Sequence, residues 1–185
     1  MPRESKRDKI LEAAALIVHN RGIDALTLDA VAEEAEVSKG GLLYHFRSKE
    51  ALVEGLVLHM NNIYRTNVEN AVYEDINRDG KWTRAFIKAT YDQSLKNTET
   101  SAGMLAAQGI NPDLLKPLQQ TYANWQENIS SDGIDPVQAT ILRLAADGLW
   151  FSEIFGLAPL DDELRKKVLD TLLEKTYPDH EETDK

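Results

Sequence analysis

Residues 27–52 of the chain read TLDAVAEEAEVSKGGLLYHFRSKEAL, a pattern that predicts two short helices, a tight turn between them and the start of a longer helix. Three hydroxyl residues, Thr27, Ser38 and Ser48, stand where these helices begin. Such side chains accept hydrogen bonds from the free N–H groups of a first helical turn. Glu36 and Val37 lie between the two short helices and form the predicted turn. We therefore interpret the rest of the chain as a helical protein organised around this stretch.

The second short helix begins in an unusual way, with the adjacent glycines Gly40 and Gly41. Each glycine costs about 1 kcal/mol relative to alanine in a helix interior, so helix stability alone does not explain them. Glycine does allow a helix to lie close against another surface, because it has no side chain. Hydrogen-bond donors surround the pair, namely Lys39, Tyr44, His45, Arg47 and Lys49. The pattern indicates a helix-turn-helix unit that faces phosphates and base edges.

Residues 38–52, SKGGLLYHFRSKEAL, resemble the signature of the tetracycline-repressor (TetR) family of bacterial one-component regulators. The resemblance extends upstream to residues 10–14, ILEAA, and 22–28, GIDALTL, and covers about the first third of the chain. One residue departs from the pattern, since family members most often carry an aromatic residue where this chain has Leu43. The departure leaves one aromatic side chain, Tyr44, for phosphate contact and makes Leu43 a packing residue or an apolar base contact.

The resemblance implies a set of DNA-binding residues on and around the second short helix. Lys39, Gly40 and Gly41 would approach the bases, whereas Thr27, Tyr44, His45 and Lys49 would hold phosphates and so set the register without reading sequence. The predicted set is Thr27, Ser38, Lys39, Gly40, Gly41, Leu43, Tyr44, His45 and Lys49. Two copies of this helix, related by a two-fold axis, would enter successive major grooves of double-stranded DNA at a palindromic operator.

The composition suits a small head domain attached to a larger helical body. The chain has 185 residues, of which 42% are apolar, and it contains no cysteine. The absence of cysteine excludes disulfides, cysteine-ligated zinc and thiol nucleophiles, and it favours a reducing compartment. The most apolar stretch, residues 141–151, is interrupted by Arg143 and Asp147, and the basic N-terminus leads into no apolar signal segment. We therefore expect a cytoplasmic protein.

The formal net charge of −10 is unevenly distributed along the chain. Residues 1–50 hold eight Lys and Arg against nine Asp and Glu, whereas the remaining residues hold thirteen against twenty-two. Within the first segment the basic residues concentrate in the N-terminal arm and around the second short helix. A locally basic face on an acidic body is compatible with DNA binding, because repulsion from the body reduces non-specific affinity.

Helical periodicity and turn residues along the chain predict an all-α protein of about nine helices. We assign residues 1–50 to a three-helix helix-turn-helix DNA-binding domain and residues 51–177 to a helical ligand-binding and dimerisation domain. Residues 178–185, PDHEETDK, are a charged tail without core-forming residues and should be disordered. The fourth helix, from Ser48 to about Glu74, is shared by the two domains and could transmit a signal between them.

The eighth helix, predicted from Pro136 to about Gly156, carries apolar residues around most of its circumference. A body of this size cannot bury such a helix by itself, which indicates a partner surface. In the family, the last two helices of each chain pack as a four-helix bundle in a homodimer. The predicted interface consists of Leu144, Phe151, Phe155, Leu164, Val168 and Leu172. Phe151 could equally belong to the core of its own chain.

The resemblance also implies an effector site inside the body, whose occupancy tilts the fourth helix and releases DNA. The candidates are aromatic or polar residues on otherwise apolar faces: His59, Phe86, Thr90, Tyr91, Met104, Gln108, Tyr122, Trp125 and Trp150. Each of them could instead be a core residue. An acidic body lined with aromatic side chains would suit a cationic or a neutral apolar ligand.

Catalytic and metal-binding motifs are missing from the sequence, so we expect neither an enzyme nor a resident metal or cofactor. The four histidines share no ligand spacing, and no phosphate-binding loop, nucleophile elbow or dinucleotide fingerprint occurs. The favoured hypothesis is a homodimeric repressor that leaves a palindromic operator when a small molecule binds. The alternatives are a constitutive or partner-gated regulator without a ligand cavity, and a helical enzyme or interaction module. Repression and activation are not distinguished by sequence.

Overall fold

The computed structural model describes residues 5–96 and 98–177, and the side chains of 93–102 are not described. The described residues form nine α-helices and two short 3-10 helices, Ile23–Ala25 and Pro112–Leu115, which confirms the predicted all-α fold. The α-helices are α1 (Lys6–Arg21), α2 (Leu28–Glu34), α3 (Lys39–His45), α4 (Lys49–Glu74), α5 (Lys81–Lys96), α6 (Thr98–Ile110), α7 (Lys116–Ser130), α8 (Pro136–Phe155) and α9 (Asp162–Glu174). The predicted disordered tail, residues 178–185, lies outside the described residues.

Helices α2, α3 and α4 begin where the three hydroxyl residues predicted. Thr27, Ser38 and Ser48 each accept a hydrogen bond of 3.1 Å from the backbone N–H three residues later. At the start of α8 the Asp135 carboxylate accepts from the N–H of Val137 at 3.2 Å, and at the start of α9 the Asp161 carboxylate accepts from the N–H of Leu164 at 2.8 Å. These contacts satisfy donors that have no partner within the helix.

Helix α6 continues through Gly109 to Ile110, and the chain turns at Asn111 and Pro112. Asn111 is extended and caps the following 3-10 helix through its side chain, which accepts from the N–H of Asp113 at 3.1 Å.

The chain forms two compact units. The first unit comprises residues 1–63 and 97–121, and the second unit comprises residues 64–96 and 122–185. Helix α4 contributes residues to both. This division by packing differs from the functional division at residue 50, which stays a prediction.

The core of the first unit is built from small and branched apolar side chains. Ile10 and Ile17 of α1, Val31 of α2 and Leu42 of α3 are fully buried in it. Ala106 and Ala107 of α6 are also fully buried in this core, so α6 packs with the helix-turn-helix segment. Small residues at these positions let α6 approach α1 closely.

The second unit contains a buried arginine, Arg84 of α5, whose side chain is 1% exposed. Its guanidinium donates to the carboxylate of Asp75 at 2.7 Å and to the backbone oxygen of Asn77 at 3.1 Å. It also donates to the backbone oxygen of Thr176 at 3.2 Å and to the Thr176 hydroxyl at 3.3 Å. The guanidinium carbon lies 4.5 Å from the centroid of the Tyr177 ring. Together these contacts join the end of α9 to the connection between α4 and α5.

Two features support this arginine cluster. Gly80, at φ 74°, lies so close to the backbone oxygen of Thr176 that a β-carbon would overlap it, so only glycine fits. Burial raises the pKa of Asp75, but the hydrogen bonds from Arg84 and from the N–H of Asn77 outweigh burial, and the pKa lies below its ordinary value. The folded state therefore favours the ionised carboxylate, which matches the buried guanidinium.

Candidate functional site

The turn between α2 and α3 takes a left-handed conformation at Glu36, with φ 54°. The N–H of Val37 donates to the backbone oxygen of Ala32 at 2.9 Å, and that of Glu36 donates to the oxygen of Glu33 at 3.1 Å. These bonds satisfy carbonyl groups at the end of α2, in the manner of a Schellman motif. The predicted turn is confirmed, and it sets the direction in which α3 leaves α2.

Helix α3 has one buried face and one exposed face. Leu42 is fully buried and Phe46, which follows the helix, is nearly so, whereas Tyr44 is 84% exposed and Leu43 is 36% exposed. An exposed tyrosine contributes little to the stability of its own chain. The outward face of α3 is therefore free to contact another molecule.

The two glycines of α3 differ in their surroundings. A β-carbon added at Gly40 would meet no atom within 4 Å, so packing within the chain does not require glycine there. At Gly41 an added β-carbon would lie 3.1 Å from the Ser38 hydroxyl, which caps the helix. Glycine at position 40 thus costs helix stability without improving the packing of the chain.

Two lysines of the predicted DNA-binding set already have partners within the chain. Lys39 forms an exposed ion pair with Asp29 of α2 at 2.8 Å. The ammonium group of Lys49 donates to the backbone oxygen of Ile23 at 3.3 Å and is half-buried. Each ammonium carries three donors, so a phosphate oxygen can still be bound. The ion pair of Lys39 is solvent-exposed and therefore weak enough to exchange its partner.

Helix α4 contains a residue that sequence reasoning missed, Gly55. An added β-carbon at Gly55 would lie 2.5 Å from the ring of Phe46 and 3.3 Å from Leu11 of α1. The glycine thus lets the end of α3 pack directly on α4. On another side, the guanidinium of Arg7 lies 5.4 Å from the Phe46 ring centroid. The sequence does contain a signal for this contact: a glycine inside a long helix lowers helix stability, so its presence indicates that another group packs closely against it.

The second unit has an aromatic cluster at its centre, formed by Tyr64, Phe86, Tyr122 and Trp125. Ring centroids lie between 4.7 Å, for Tyr64 and Trp125, and 6.4 Å, for Tyr64 and Tyr122. Three of the four are predicted effector residues, and Tyr64 is a member that sequence reasoning missed. The Tyr64 hydroxyl is hydrogen-bonded to that of Thr90, which donates to the backbone oxygen of Phe86 at 2.8 Å. The rings pack tightly against one another.

A polar network continues from this cluster to Asp147 of α8. The Tyr122 hydroxyl donates to the Asp147 carboxylate at 3.2 Å, and Arg143 donates to the same carboxylate at 2.7 Å. Burial raises the pKa of Asp147, and the Arg143 charge and the Tyr122 hydrogen bond oppose that rise. Burial also raises the pKa of the Tyr122 hydroxyl. The carboxylate thus has a cationic partner within its own helix.

The predicted effector residues are distributed over both units. His59, Met104 and Gln108 belong to the first unit, and the remaining six belong to the second. In the second unit, Thr90, Tyr91 and Trp150 line a small pocket of about 10 Å³. Its other lining residues are Ile87, Ala146, Leu149, Leu169 and Leu172. This structure of the second unit therefore shows a pocket too small for more than about one water molecule.

Helices α8 and α9 each carry exposed apolar side chains that the second unit does not bury. Leu144 and Phe151 of α8 are 54% and 50% exposed, Phe155 and Leu164 are similarly exposed, and Val168 and Leu172 are half-buried. Val137 and Ile141 extend the stripe on α8, where the six positions 137, 141, 144, 148, 151 and 155 alternate spacings of four and three. Phe151 is not enclosed by its own chain, since half of its surface is free. Spacing of this kind is typical of a helix that packs along a second helix.

Two classes of site are not found in the part of the chain that the structure describes. None of the helices there combines the length and apolar character needed to cross a bilayer. Over residues 5–96 and 98–177, histidine and carboxylate side chains form no group of three or more that could hold a metal ion.

Comparison with known proteins matches both parts of the chain to one family. A family model described as "Bacterial regulatory proteins, tetR family" matches residues 10–56, and one described as "Tetracyclin repressor-like, C-terminal domain" matches residues 80–177. The HTH-type transcriptional regulator BetI of Burkholderia lata is 23% identical over 177 residues, which cover 90% of this chain and 91% of that protein.

Solved structures share the fold over nearly the whole chain. The fatty acid degradation regulator FadR from Bacillus halodurans is 15% identical with a TM-score of 0.71, over 94% of this chain and 97% of that one. The multidrug binding protein EbrR, in complex with ethidium, is 22% identical with a TM-score of 0.58, over 92% of this chain and 99% of that one.

Proposed function

The chain belongs to the TetR family of DNA-binding transcriptional regulators, and from that premise we propose that it is a homodimeric repressor of a palindromic operator, released by a small molecule. Its proposed place of action is the cytoplasm, and its proposed output is regulation and not catalysis. The observation that carries the proposal is the outward face of α3, where exposed Tyr44 and the uncrowded Gly40 have no packing role within the chain.

The proposed DNA interface places the first turn of α3 against base edges. Gly40 and Gly41 permit close approach, and Lys39 exchanges Asp29 for an acceptor on the DNA. Tyr44, His45, Lys49 and Thr27 hold phosphates around it, Ser38 caps the helix, and Leu43 contacts an apolar base edge. Lys39 and Lys49 supply the charge on this face, so affinity should fall steeply with salt.

The proposed dimer uses the exposed stripe on α8 together with α9. The alternation of four and three residues brings Val137, Ile141, Leu144, Phe151 and Phe155 to one face, where water would otherwise contact them. Gly148 lies in the middle of this stripe, and an added β-carbon there would meet no atom of its own chain within 4 Å. A small residue at the centre of the stripe allows two copies of α8 to cross closely. Two-fold packing would hold the two α3 helices at a fixed spacing.

The proposed effector domain is the helical body, residues 51–177, and residues 1–50 form the proposed DNA-binding domain. The proposed effector residues are His59, Phe86, Thr90, Tyr91, Met104, Gln108, Tyr122, Trp125 and Trp150. The family relationship supports small-molecule control, as does the complex of the multidrug binding protein with ethidium. A coupling free energy of about 1–3 kcal/mol between effector and operator would release DNA roughly 5- to 150-fold.

Selection of bound sites from random duplex DNA by the full-length protein tests the proposal. We expect a palindrome whose half-sites lie about one helical turn apart. Tyr44→Ala should weaken binding to the selected site. Tyr73→Ala is the matched control and should leave binding unchanged, because Tyr73 is also an exposed tyrosine, at 90%, but lies near the C-terminal end of α4 and outside the proposed interface. Failure to retain any duplex at low salt, or equal weakening by both variants, would contradict the proposed interface.

A further inference from the structure

Helices α8 and α9 are joined by hydrogen bonds at both ends of their shared length. At one end, Gln138 Nε2 donates to the backbone oxygen of Lys175 at 2.7 Å. At the other, Arg165 donates through Nε and Nη2 to the two carboxylate oxygens of Glu153, at 2.9 and 3.0 Å. This second contact is a bidentate, largely buried ion pair. The two ties fix the ends of α9 on α8.

The pocket of the second unit lies between these ties. Its lining comes from the middle of α8 and of α9 and from α5, and it encloses about 10 Å³. Trp150 is part of this lining, and its indole Nε1 is buried without an acceptor among residues 5–96 and 98–177. An indole N–H can only donate, and a buried donor without a partner is destabilising. One residue of the pocket lining therefore carries a buried N–H group without a described acceptor.

The pocket lining contains no charged residue. Its polar side-chain groups are the hydroxyls of Thr90 and Tyr91 and the indole N–H of Trp150, and its other side chains are apolar. The Thr90 hydroxyl already donates to the backbone oxygen of Phe86. The carboxylate of Asp147, adjacent in sequence to a lining residue, is paired with Arg143 and accepts from Tyr122. A cationic ligand would find no unpaired carboxylate in this lining, whereas a neutral acceptor would satisfy Trp150.

From these observations we propose that the effector is a small, neutral, mostly apolar molecule with a hydrogen-bond acceptor, which binds between α5, α8 and α9 and accepts from Trp150 Nε1. This inference rests on the effector control proposed above and specifies its ligand class. It selects one of the two classes that the acidic, aromatic-rich sequence left open.

Binding at this place would act on the proposed dimer surface directly. The present pocket has a volume of only about 10 Å³, so a ligand has to displace the middle of α9 from α5 and α8 while the end ties hold. The same two helices present Phe151, Phe155 and Leu164 to solvent. A ligand that moves α9 therefore changes the shape of the surface that pairs two copies, and with it the spacing of the two α3 helices.

The test uses three probes of one ring size on the full-length protein labelled with ¹⁵N in its three tryptophans. Cyclohexanone carries an acceptor, methylenecyclohexane lacks it, and cyclohexylammonium adds a positive charge. The Trp150 indole resonance is assigned with Trp150→Phe. We expect cyclohexanone, at up to about 10 mM, to shift that resonance selectively and to bind about fivefold or more tightly than methylenecyclohexane.

A pair of variants separates pocket occupancy from general destabilisation. Leu169→Ala enlarges the pocket by removing part of a lining side chain. It should tighten cyclohexanone binding several-fold, because α9 then has to move a shorter distance to admit the ligand. Leu173→Ala is the matched control, since Leu173 is a half-buried residue of the same helix that packs on the core of the second unit but does not line the pocket. Affinity should be unchanged in Leu173→Ala.

The outcomes distinguish this inference from the proposed function. An unshifted Trp150 resonance in a protein that still binds its operator overturns the inference and leaves the DNA-binding role intact. Equal or tighter binding of cyclohexylammonium or methylenecyclohexane overturns the assigned ligand class. A protein without operator binding would instead contradict the function proposed above, whatever the tryptophan resonance shows.

Discussion

Replacing Gly40 by alanine separates the stability of α3 from its contact with DNA, because the two effects have opposite signs. Gly40 has ordinary helical geometry and no positive φ, and an added β-carbon meets no atom within 4 Å. Alanine should therefore stabilise the helix by about 0.4–1 kcal/mol. For a chain of this size, 1 kcal/mol corresponds to a rise of roughly 2–4 °C in the melting temperature.

The same methyl group would separate α3 from the base edges in each half-site. We expect a loss similar to that of one mismatched base pair, about 1–3 kcal/mol for each head. A dimer would then lose at least about 2 kcal/mol and bind its operator at least about thirtyfold more weakly, even though it melts at a higher temperature. Thermal denaturation and titration of the selected operator at several salt concentrations measure the two effects separately.

Gly109→Ala is the matched control for this substitution. Gly109 is an exposed glycine of α6, and an added β-carbon would lie 3.7 Å from Ile23, an ordinary contact distance. This variant should gain stability without losing DNA affinity. If Gly40→Ala binds the operator as tightly as the unchanged protein, α3 does not lie against the bases and the assigned interface is wrong.

Other substitutions test further parts of the structure. Lys49→Ala should weaken binding to all DNA sequences and lower the salt slope by about one unit, and an unchanged slope would exclude a phosphate contact. Arg84→Met should cost about 3–5 kcal/mol in urea unfolding, because the Asp75 carboxylate stays buried without its partner. Since the pKa of Asp75 is lowered, its stabilising contribution is present above about pH 4 and is lost as the pH falls below that value. Asp75→Asn should therefore flatten the acid dependence of stability. Phe151→Glu should make the protein monomeric in sedimentation with unchanged helix content.

Two of these variants, Arg84→Met and Phe151→Glu, have a control in the same chain. Replacing Arg84 and Asp75 together by Met and Leu should cost less than the sum of the single changes, because no buried charge is left unpaired. Strict additivity would show that the ion pair is not coupled. Tyr73→Glu alters an exposed aromatic residue outside the α8 stripe and should remain a dimer. Dissociation of both the Phe151 and the Tyr73 variants would argue against a specific interface on α8.

Local features of the fold could be predicted from sequence because they depend on neighbours along the chain. The caps at Thr27, Ser38 and Ser48, the turn at Glu36, and the buried face of α3 follow from residues at most a few positions apart. The outward position of Tyr44 follows from the same helical periodicity. These are the features that define the proposed DNA interface.

Features that depend on distant residues were not predicted. From sequence alone Arg84 would be assigned to the surface as an ordinary charged residue. Its burial depends on Asp75, Asn77 and Thr176, and Thr176 is 92 residues away along the chain. The burial of Ala106 and Ala107 likewise depends on the packing of α6 against α1. Small side chains permit this packing, but their presence in the sequence does not predict it. The predicted effector residues illustrate the same limit, because aromatic content alone does not show which rings pack together and which line a pocket.

The position of Thr176 also bears on the order in which the molecule can be assembled during synthesis. Two of the acceptors around the Arg84 guanidinium lie at residue 176, so an emerging polypeptide carries this cation without a complete set of partners until residue 176 has been synthesised. The first unit is similarly incomplete until Ala106 and Ala107 have left the ribosome. Neither unit is contiguous along the chain, and maturation of both must wait for late segments while earlier helices are already exposed to the cell.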